Sequence, residues 1–356
     1  MHSFLTILGT AGLAAAHGLV DSYVVDGTKY PSFDARVDMD FQPTVKRISW
    51  GSKTAGGPIN DVNSADITCR AGPFVAPALT AVARAGSKID IKWTDWFGNH
   101  KGPLFTYMGL LPNDDTKLQD VGFFKIDEAT YDPATEVWGT DRLIKNNNTW
   151  TVTIPSDIKP GNYIVRHESI ALHNSWMENK TRKTSGAQHY PNCFKVQVTG
   201  AGTAMPPTVK FPGAYHWNDA GILINIYYGP KQYISPGPPV YVGARDPPAG
   251  PAANVIETGA LTGELAQKYA ALRVAKNKGL MTAVHETAAM AGGGGCHWEA
   301  GADPSTMKCK ATNPEDPARW AGFAQPVGSP LWVEKPGTAQ RGPAPPKTFE
   351  TWKPET

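Results

Sequence analysis

Short runs in which apolar and polar residues alternate fill the chain from His17 to about Tyr241. Such alternation is typical of half-buried β-strands, and turn-rich segments such as GSKTAGGPINDVNSAD separate the runs. No long amphipathic helix interrupts them. The pattern predicts an all-β fold, an antiparallel β-sandwich of the immunoglobulin or fibronectin kind with long loops. The runs that predict strands are LVDSYVV, KIDIKW, FTYMGLL, TWTVTIP, NYIVRHESIAL, CFKVQVTG and ILINIYY.

The composition changes after these runs. Ser235–Ala253 is dominated by Pro and Gly, as domain ends and linkers often are. Gly263–Ala291 is rich in Ala with interspersed charges, which predicts a helix with a candidate break at Gly279. The low aliphatic content of the rest favours partial disorder. We therefore expect a signal peptide at 1–16, a β-sandwich domain at 17–242, a Pro/Gly-rich linker at 243–262 and a partly helical or disordered C-terminal extension at 263–356.

The N-terminus has the pattern of a secretion signal. An apolar stretch at residues 4–13 leads into Ala14, Ala15 and Ala16, and such small residues suit signal peptidase. The stretch is shorter than the roughly 20 apolar residues that a transmembrane helix needs. The sequence therefore predicts cleavage after Ala16, an extracellular protein and no membrane anchor.

The four cysteines fit an oxidising compartment. Four cysteines allow three connectivities, of which the simplest joins Cys69 to Cys193 and Cys296 to Cys309. A zinc site built on four cysteines would need paired C-x-x-C spacing, which this sequence lacks.

Composition limits the classes of partner. The chain has 356 residues, 41% of them hydrophobic, so it can bury a substantial core. Its formal net charge is only +2, which indicates no phosphate-binding surface and excludes nucleic acid as an expected partner.

Asn147 and Asn179 begin the sequons NNT and NKT and are expected to be glycosylated surface positions.

Cleavage after Ala16 would make His17 the first residue of the mature chain. The freed α-amine has an unperturbed pKa of about 7.7–8.0, so a metal ion displaces its proton easily near neutral pH. Amine and imidazole of His17 then form a compact bidentate chelate. Nitrogen ligands in tetragonal geometry suit copper(II), so the sequence predicts one copper ion if a second imidazole completes the set.

Spacing alone does not identify that second imidazole. His100 lies in a turn-rich loop after a predicted strand, where binding residues tend to cluster. Gln188 and Tyr190 alternate and would share one face of a strand. Tyr190 is then either an axial metal ligand or an ordinary core residue. The histidines that could supply the imidazole are His100, His167, His173, His189 and His216.

Several ordered stretches together resemble the fungal lytic polysaccharide monooxygenases of auxiliary activity family nine, formerly glycoside hydrolase family sixty-one. They run in family order from His17 to about Tyr241, and any one of them would be a weak signal. The matching stretches are AHG at the mature start, ADITC, AGSKIDIKWTDWFGNHKGPLFTYM, NNNTWTVTIPSDIKPGNYIVRHESIALH, GAQHYPNCFKVQVTG and FPGAYHWNDAGILINIYYG.

The resemblance implies a role for each matching residue. His17, through its amine and its imidazole, and His100 would bind one copper ion that cycles between Cu(II) and Cu(I). Tyr190 would occupy the axial position. His173 and Gln188 would form the surrounding layer that hydrogen-bonds oxygen species.

The resemblance also implies a reaction and its partners. The substrate would be cellulose or a related β-1,4-glucan, hydroxylated at C1 or C4 with dioxygen or hydrogen peroxide and an external electron donor. Tyr233 matches the family's C-terminal loop, where an aromatic residue often stacks on sugar rings. The family's disulfide matches Cys69–Cys193, and the protein is expected to be a secreted monomer.

Two positions depart from the family pattern. The loop before His100 reads WFGNHKGP, where the family more often has a proline after the tryptophan. His189 stands where the family usually has an aromatic residue, and it either changes the surroundings of Gln188 and Tyr190 or faces away from them.

Three other functions stay open at the level of the sequence. A glycosidase would use the carboxylates of Glu168 and Asp95, although RHES is more typical of a buried, ion-paired strand. The others are a non-catalytic carbohydrate-binding sandwich and a copper-binding protein that cleaves no polysaccharide. Copper-dependent release of oxidised oligosaccharides from cellulose would separate all three from the monooxygenase.

Overall fold

A computed structural model describes residues 18–41, 44–52, 57–70, 76–246 and 256–290, and the backbone of 296–297 and 308–309. Side chains are described in these ranges except at 256–257, in the helix beyond residue 276 and in the last two segments. The predicted signal peptide and His17 lie outside the described residues, as do residues from 310 onwards. The chain divides after Glu286 into two units.

The first unit contains two five-stranded sheets. Its strands are β1 (Val20–Val25), β2 (Thr28–Pro31), β3 (Ala81–Arg84), β4 (Lys88–Trp93), β5 (Leu104–Leu110), β6 (Phe123–Ala129), β7 (Thr149–Thr153), β8 (Gly161–Ala171), β9 (Gln188–Thr199) and β10 (Ile256–Glu257). One sheet has the order β10-β2-β1-β4-β7 and the other the order β3-β9-β8-β5-β6. The helices described in this part of the chain are α1 (Gly139–Lys145) and α2 (Gly263–Met290).

Alternating side chains fill the space between the two sheets. In β4, Ile89, Ile91 and Trp93 are buried, while the residues between them are not. They belong to one core cluster with Tyr190 and Phe194 of the opposite sheet. The alternation in the sequence therefore corresponds to one buried and one less buried face of the strand, as predicted for a β-sandwich.

Strand β8 is buried on both faces. A second core cluster covers the outer side of its sheet and includes Phe105, Phe211 and Tyr215, which belong to β5 and to the loops that follow β9. This second layer explains why the charged residues of RHES in β8 are fully buried.

The topology differs from the expected purely antiparallel one at two edges. Strand β3 pairs with β9 in parallel, and β10 pairs in parallel with β2. The run ILINIYY is not a strand, so that expectation was wrong. The amides of Ile222 and Leu223 both bond the carbonyl of Asp219, which closes a turn, and the Asn225 side chain caps a short 3-10 turn.

Part of the predicted linker and extension belongs to the first unit. Strand β10 lies within the predicted linker, and α2 runs through Gly279 without the predicted break. Helix α2 packs Tyr269 and Leu272 on a cluster formed by Val37, Phe41 and Val45.

Polar contacts fix α2 on the same surface. Tyr269 donates to Asp38 (2.5 Å), and Arg273 reaches Asp21 (2.7 Å) and Asp34 (3.4 Å). Among the described residues, no helix is long and apolar enough to span a bilayer.

Apart from the last residues of α2, the second unit is described only at two short strands, β11 (Cys296–His297) and β12 (Lys308–Cys309). They pair antiparallel, with Cys296 opposite Cys309. The side chains of both cysteines lie outside the described residues, so the disulfide between them stays a prediction. In the first unit, Cys69 and Cys193 are joined by a disulfide, with Cα atoms 5.3 Å apart.

Candidate functional site

Strand ends from both sheets meet at one end of the sandwich. The start of β1 pairs with the end of β4, with Val20 opposite Trp93. In the other sheet, the end of β8 pairs with the start of β9, with Ala171 opposite Gln188. The loop that follows β4, the turn that follows β8 and the first residues of β9 therefore lie close together. These segments carry the histidines and polar residues that the sequence singles out.

His100 lies in the loop between β4 and β5 and is 7% exposed. Its Nδ1 is 2.7 Å from the side-chain oxygen of Asn99. Because an amide oxygen only accepts hydrogen bonds, Nδ1 carries the ring proton and Nε2 the lone pair. A hydrogen bond of this kind commonly fixes the tautomer of a metal-binding histidine.

Trp96 joins His100 to the start of the described chain. Its indole Nε1 donates to the carbonyl of His100 (3.0 Å), and its ring meets the rings of His100 and Tyr190 edge-on. Gly18 lies against the same ring, since a Cβ at Gly18 would be 2.5 Å from a carbon of the Trp96 ring. Consecutive Cα atoms are about 3.8 Å apart. Gly18, the residue that follows His17 in the sequence, therefore lies on the ring that contacts both His100 and Tyr190.

The segment after Gly18 is fixed to the same loop. The amide of Leu19 donates to the hydroxyl of Thr94 (3.0 Å), and the amide of Thr94 donates to the carbonyl of Leu19 (2.8 Å). The loop that carries His100 and the chain that follows His17 are thus held as one assembly.

His173 follows β8 and stacks beside His100. The two imidazole centroids are 4.2 Å apart, with an angle of 37° between the ring planes. The backbone carbonyl of His173 accepts a hydrogen bond from the hydroxyl of Tyr227 (3.0 Å). Phe97 occupies the position where the family more often has proline, and its ring also packs beside His100, at 5.8 Å.

Gln188 and Tyr190 share a face at the start of β9, as their spacing predicts. The hydroxyl of Tyr190 donates to Oε1 of Gln188 (2.7 Å), and the tyrosine is fully buried. Burial raises the pKa of Tyr190 well above its usual range, although the guanidinium of Arg70, 5.7 Å from the ring centre, acts in the opposite direction. Tyr190 is therefore a neutral phenol near neutral pH.

The donor atoms of these residues are of the kind that a copper ion prefers. Among the described side chains, no group of three or more His, Cys, Asp or Glu residues is placed to hold a metal. A site built from two histidines, as the family resemblance implies, needs no such group. One of these two histidines, His17, lies outside the described residues. The described donors are of the right kind, namely a tautomer-fixed imidazole and a phenol, and Gly18 contacts the same Trp96 ring as both of them.

His189 points away from this site. Its Nδ1 is 3.0 Å from Oε1 of Glu168, in the second core behind the sheet. Glu168 also accepts hydrogen bonds from Arg166 (2.7 Å) and from the hydroxyl of Tyr215 (2.8 Å). Burial by itself would raise the pKa of Glu168, but Arg166 and His189 outweigh it and hold that pKa at about 2. Glu168 is thus a buried structural anion rather than an acid that could protonate a glycosidic oxygen.

The other histidines considered from the sequence have structural surroundings. His167 is buried between the sheets, with Nδ1 2.8 Å from the hydroxyl of Thr106, and burial lowers its pKa to about 3. His216 lies on an exposed turn, 3.6 Å from Asp219.

Three exposed aromatic side chains lie on the segment that includes His173 or on the segment that is hydrogen-bonded to it. Tyr227 is 67% exposed, Tyr228 is 85% exposed and Trp176 is 49% exposed. The hydrogen bond from Tyr227 to His173 places that ring at the rim of the candidate site. The sequence analysis did not identify Tyr227 and Tyr228 as exposed, because it predicted a strand over ILINIYY, and alternation along a strand would have buried one of the two.

Tyr233 is less accessible than its assignment to the substrate surface implies. Its hydroxyl donates to the carbonyl of Gly221 (2.8 Å), and its ring meets Trp138 edge-on at 5.2 Å. Burial raises its pKa well above the usual range. A role of Tyr233 in substrate binding stays a prediction. The predicted glycosylation positions Asn147 and Asn179 are both exposed.

Comparison with known proteins agrees with this geometry. The family model described as Auxiliary Activity family 9 (formerly GH61) matches residues 17–233. The AA9 family lytic polysaccharide monooxygenase B of Geotrichum candidum is 42% identical over 247 residues, which are 68% of this chain and 66% of that protein. The monooxygenase A of the same organism is 42% identical over 239 residues, which are 66% of this chain and 80% of that protein.

Solved structures show the same similarity. The extended catalytic domain of H. jecorina LPMO9A has a TM-score of 0.60 and 32% identity, covering 67% of this chain and 98% of that one. Cel61B from Hypocrea jecorina, described as a glycoside hydrolase family 61 member, has a TM-score of 0.58 and 30% identity, covering 63% of this chain and 100% of that one.

Proposed function

The chain belongs to Auxiliary Activity family 9, whose members are copper-dependent oxidoreductases that act on polysaccharides, and we propose that its substrate is cellulose or a related β-1,4-glucan. Cleavage would follow hydroxylation at C1 or C4, with dioxygen or hydrogen peroxide as oxidant and an external electron donor. The observation that carries the proposal is the convergence of His100, Tyr190 and the start of the mature chain on the Trp96 ring.

His17 and His100 would hold one copper ion, with Tyr190 as a further group beside it. Copper supplies one-electron redox chemistry towards the oxidant. The protein's part is to fix the ligands before that chemistry begins. The bond from His100 to Asn99 holds the ring orientation and leaves Nε2 as the donor atom.

Gln188 and His173 would govern the protons around the oxidant. Because Oε1 of Gln188 accepts from Tyr190, the amide NH₂ of Gln188 is the group able to donate. The ring of His173 lies on the face of His100 and can accept or donate a proton beside the metal site. Tyr190 keeps its proton, so it would be a neutral and therefore weak donor towards the metal.

The surface around the site suits a solid polymer better than a soluble sugar. The rings of Tyr227, Tyr228 and Trp176 are exposed, and Tyr227 donates to the carbonyl of His173. Aromatic faces pack against the apolar faces of glucose rings, and a chain of a crystalline polymer can only be approached across an open surface.

Secretion follows from the same proposal. The proposed copper site needs a free amine on His17, so removal of residues 1–16 would be a condition of metal binding. Mass spectrometry of the intact secreted protein, with and without copper, would give the N-terminal residue and the metal stoichiometry together. A mature chain that begins anywhere other than His17 would overturn the assigned ligand set.

The test of function is copper-dependent product formation. The copper-loaded protein, incubated with cellulose, a reductant and oxidant, should release oxidised oligosaccharides, and a chelator should abolish the release. His100→Ala should weaken Cu(II) binding by orders of magnitude and abolish activity. A variant that retains Met before His17 should also bind copper poorly, since the amine is displaced. Unchanged release in the presence of chelator would refute an oxidative reaction, and tight copper binding without cleavage of any glucan would favour a copper-binding role.

A further inference from the structure

The position of His100 depends on a loop without regular secondary structure. The histidine loop (residues 94–103) joins β4 to β5 through turns and extended backbone. No ladder of strand hydrogen bonds fixes His100, so individual contacts hold the loop in place. One buried residue beyond the loop bonds two loop residues, Asp95 and Trp96, and also the end of β4.

That residue is Asn148, which directly precedes β7. Its backbone carbonyl accepts from the amide of Trp93 (2.8 Å), at the end of β4. Its side-chain oxygen accepts from the amide of Trp96 (3.2 Å), and its side-chain NH₂ donates to the carboxylate of Asp95 (3.1 Å). Asn148 is 8% exposed, so these bonds are largely shielded from water.

Trp96 links Asn148 to the candidate site. Asn148 holds the backbone amide of Trp96, while the indole of Trp96 holds the carbonyl of His100 and faces Tyr190. Gly18 rests on the same indole ring. A displacement of Trp96 would therefore move both the imidazole and the start of the mature chain.

Only a few residue types can occupy this position. Asn148 has φ of 53° and its neighbour Asn147 has φ of 51°, both in the left-handed region. Asparagine and glycine tolerate that region best. Glycine would keep the backbone but remove both side-chain bonds, so the backbone and side-chain roles of Asn148 can be separated.

We propose that Asn148 is a positioning residue for the copper site, and that its side-chain amide sets the placement of His100 through Asp95 and Trp96. The inference rests on the proposed function, because it assumes that His100 binds copper. It assigns to Asn148 no contact with metal or substrate.

The experiment compares Cu(II) affinity and the Cu(II) electron paramagnetic resonance spectrum in four variants of the mature protein. N148G removes the amide and keeps the left-handed backbone. N147G makes the same change at the adjacent exposed residue and serves as the control. N148D places a carboxylate opposite Asp95, and N148D/D95N exchanges the acceptor and donor of the original pair. All proteins are compared after enzymatic removal of N-linked glycans, because N147G also removes a sequon.

N148G and N148D should weaken Cu(II) binding by about 10-fold and shift the spectrum, as changes behind a metal ligand commonly do. N147G should match wild type, and N148D/D95N should recover the wild-type spectrum that N148D loses. The inference is overturned if N148G lowers only the melting temperature of the copper-free protein and leaves affinity and spectrum unchanged. It is equally overturned if the double variant shows no recovery. If instead His100→Ala binds copper like wild type, the proposed function itself has failed.

Discussion

Replacing Glu168 by glutamine removes one charge from a fully buried ionic cluster. Arg166 and Glu168 are both 0% exposed and are joined by a 2.7 Å bond. Arg166 also donates to the carbonyls of Ile67 and Thr68. The substitution Glu168→Gln keeps the shape of the side chain but leaves the guanidinium without a counterion.

Two arguments give a similar value for the loss in free energy of unfolding. The pKa of Glu168 lies at about 2 in the folded protein, below its ordinary value of 4.5, which corresponds to roughly 3 kcal/mol of stability near pH 7. Loss of one partner of a buried ion pair generally costs about 3–5 kcal/mol. Because the folded-state pKa is depressed, this stability is present above the unfolded pKa and is lost as pH falls from about 5 towards 2.

The assay is urea unfolding of wild type and E168Q from pH 7 down to pH 3, with the disulfide intact. At pH 7 we expect E168Q to be less stable by about 3 kcal/mol, and the gap should narrow as the pH falls. E264Q is the matched control, because Glu264 forms an exposed pair with Lys268 and should change stability by less than about 0.5 kcal/mol. A gap below about 1 kcal/mol at pH 7, or one that does not change with pH, would refute this account of the cluster.

The same variant tests the glycosidase alternative. Glu168 faces the second core and not the site of His100, so copper-loaded E168Q should keep the wild-type Cu(II) spectrum and its activity on cellulose. Loss of cleavage in a folded, copper-loaded E168Q would instead identify Glu168 as a catalytic acid.

Three further predictions concern other parts of the molecule. R273E should place like charges beside Asp21 and detach α2, which limited proteolysis within 263–276 would detect, although the partly exposed ion pair itself contributes no more than about 1 kcal/mol. H189F should remove the donor to Glu168 and lower the free energy of unfolding by about 1–3 kcal/mol in denaturant titrations, with copper affinity unchanged. Y228A should weaken binding to cellulose in a pull-down assay without changing the Cu(II) dissociation constant, because this tyrosine is 85% exposed.

The sequence predicted the strands whose two faces differ, and it failed where another force decides the local structure. The alternation in KIDIKW corresponds to β4 because one face of that strand is dry. ILINIYY has the same apolar character, but its backbone amides donate to the carbonyl of Asp219 and to the side-chain oxygen of Asn225, which closes it into turns. Helix α2 continues through Gly279 since one glycine costs a helix only about 1 kcal/mol.

Prediction of the site was limited by long-range contacts. Gln188 and Tyr190 were placed together because the period of a strand is local. The choice of His100 came from family resemblance, since nothing in its spacing distinguishes it from His167. The contributions of Asn99 and Asn148 depend on tertiary contacts that no short motif records.

The two faces of the β8–β9 pair divide the structural and chemical tasks. Gln188 and Tyr190 lie on the face that leads to the proposed metal site, whereas His189 and Cys193 lie on the other, beside the Arg166–Glu168 pair. In a β-ladder, a slip of one residue exchanges the two faces. The buried ion pair and the disulfide make such a slip costly, because it would bring charged groups into the space between the sheets and break the bond to Cys69. The ionic cluster thus secures the register that keeps Tyr190 packed against Trp96, even though none of its members belongs to the proposed site.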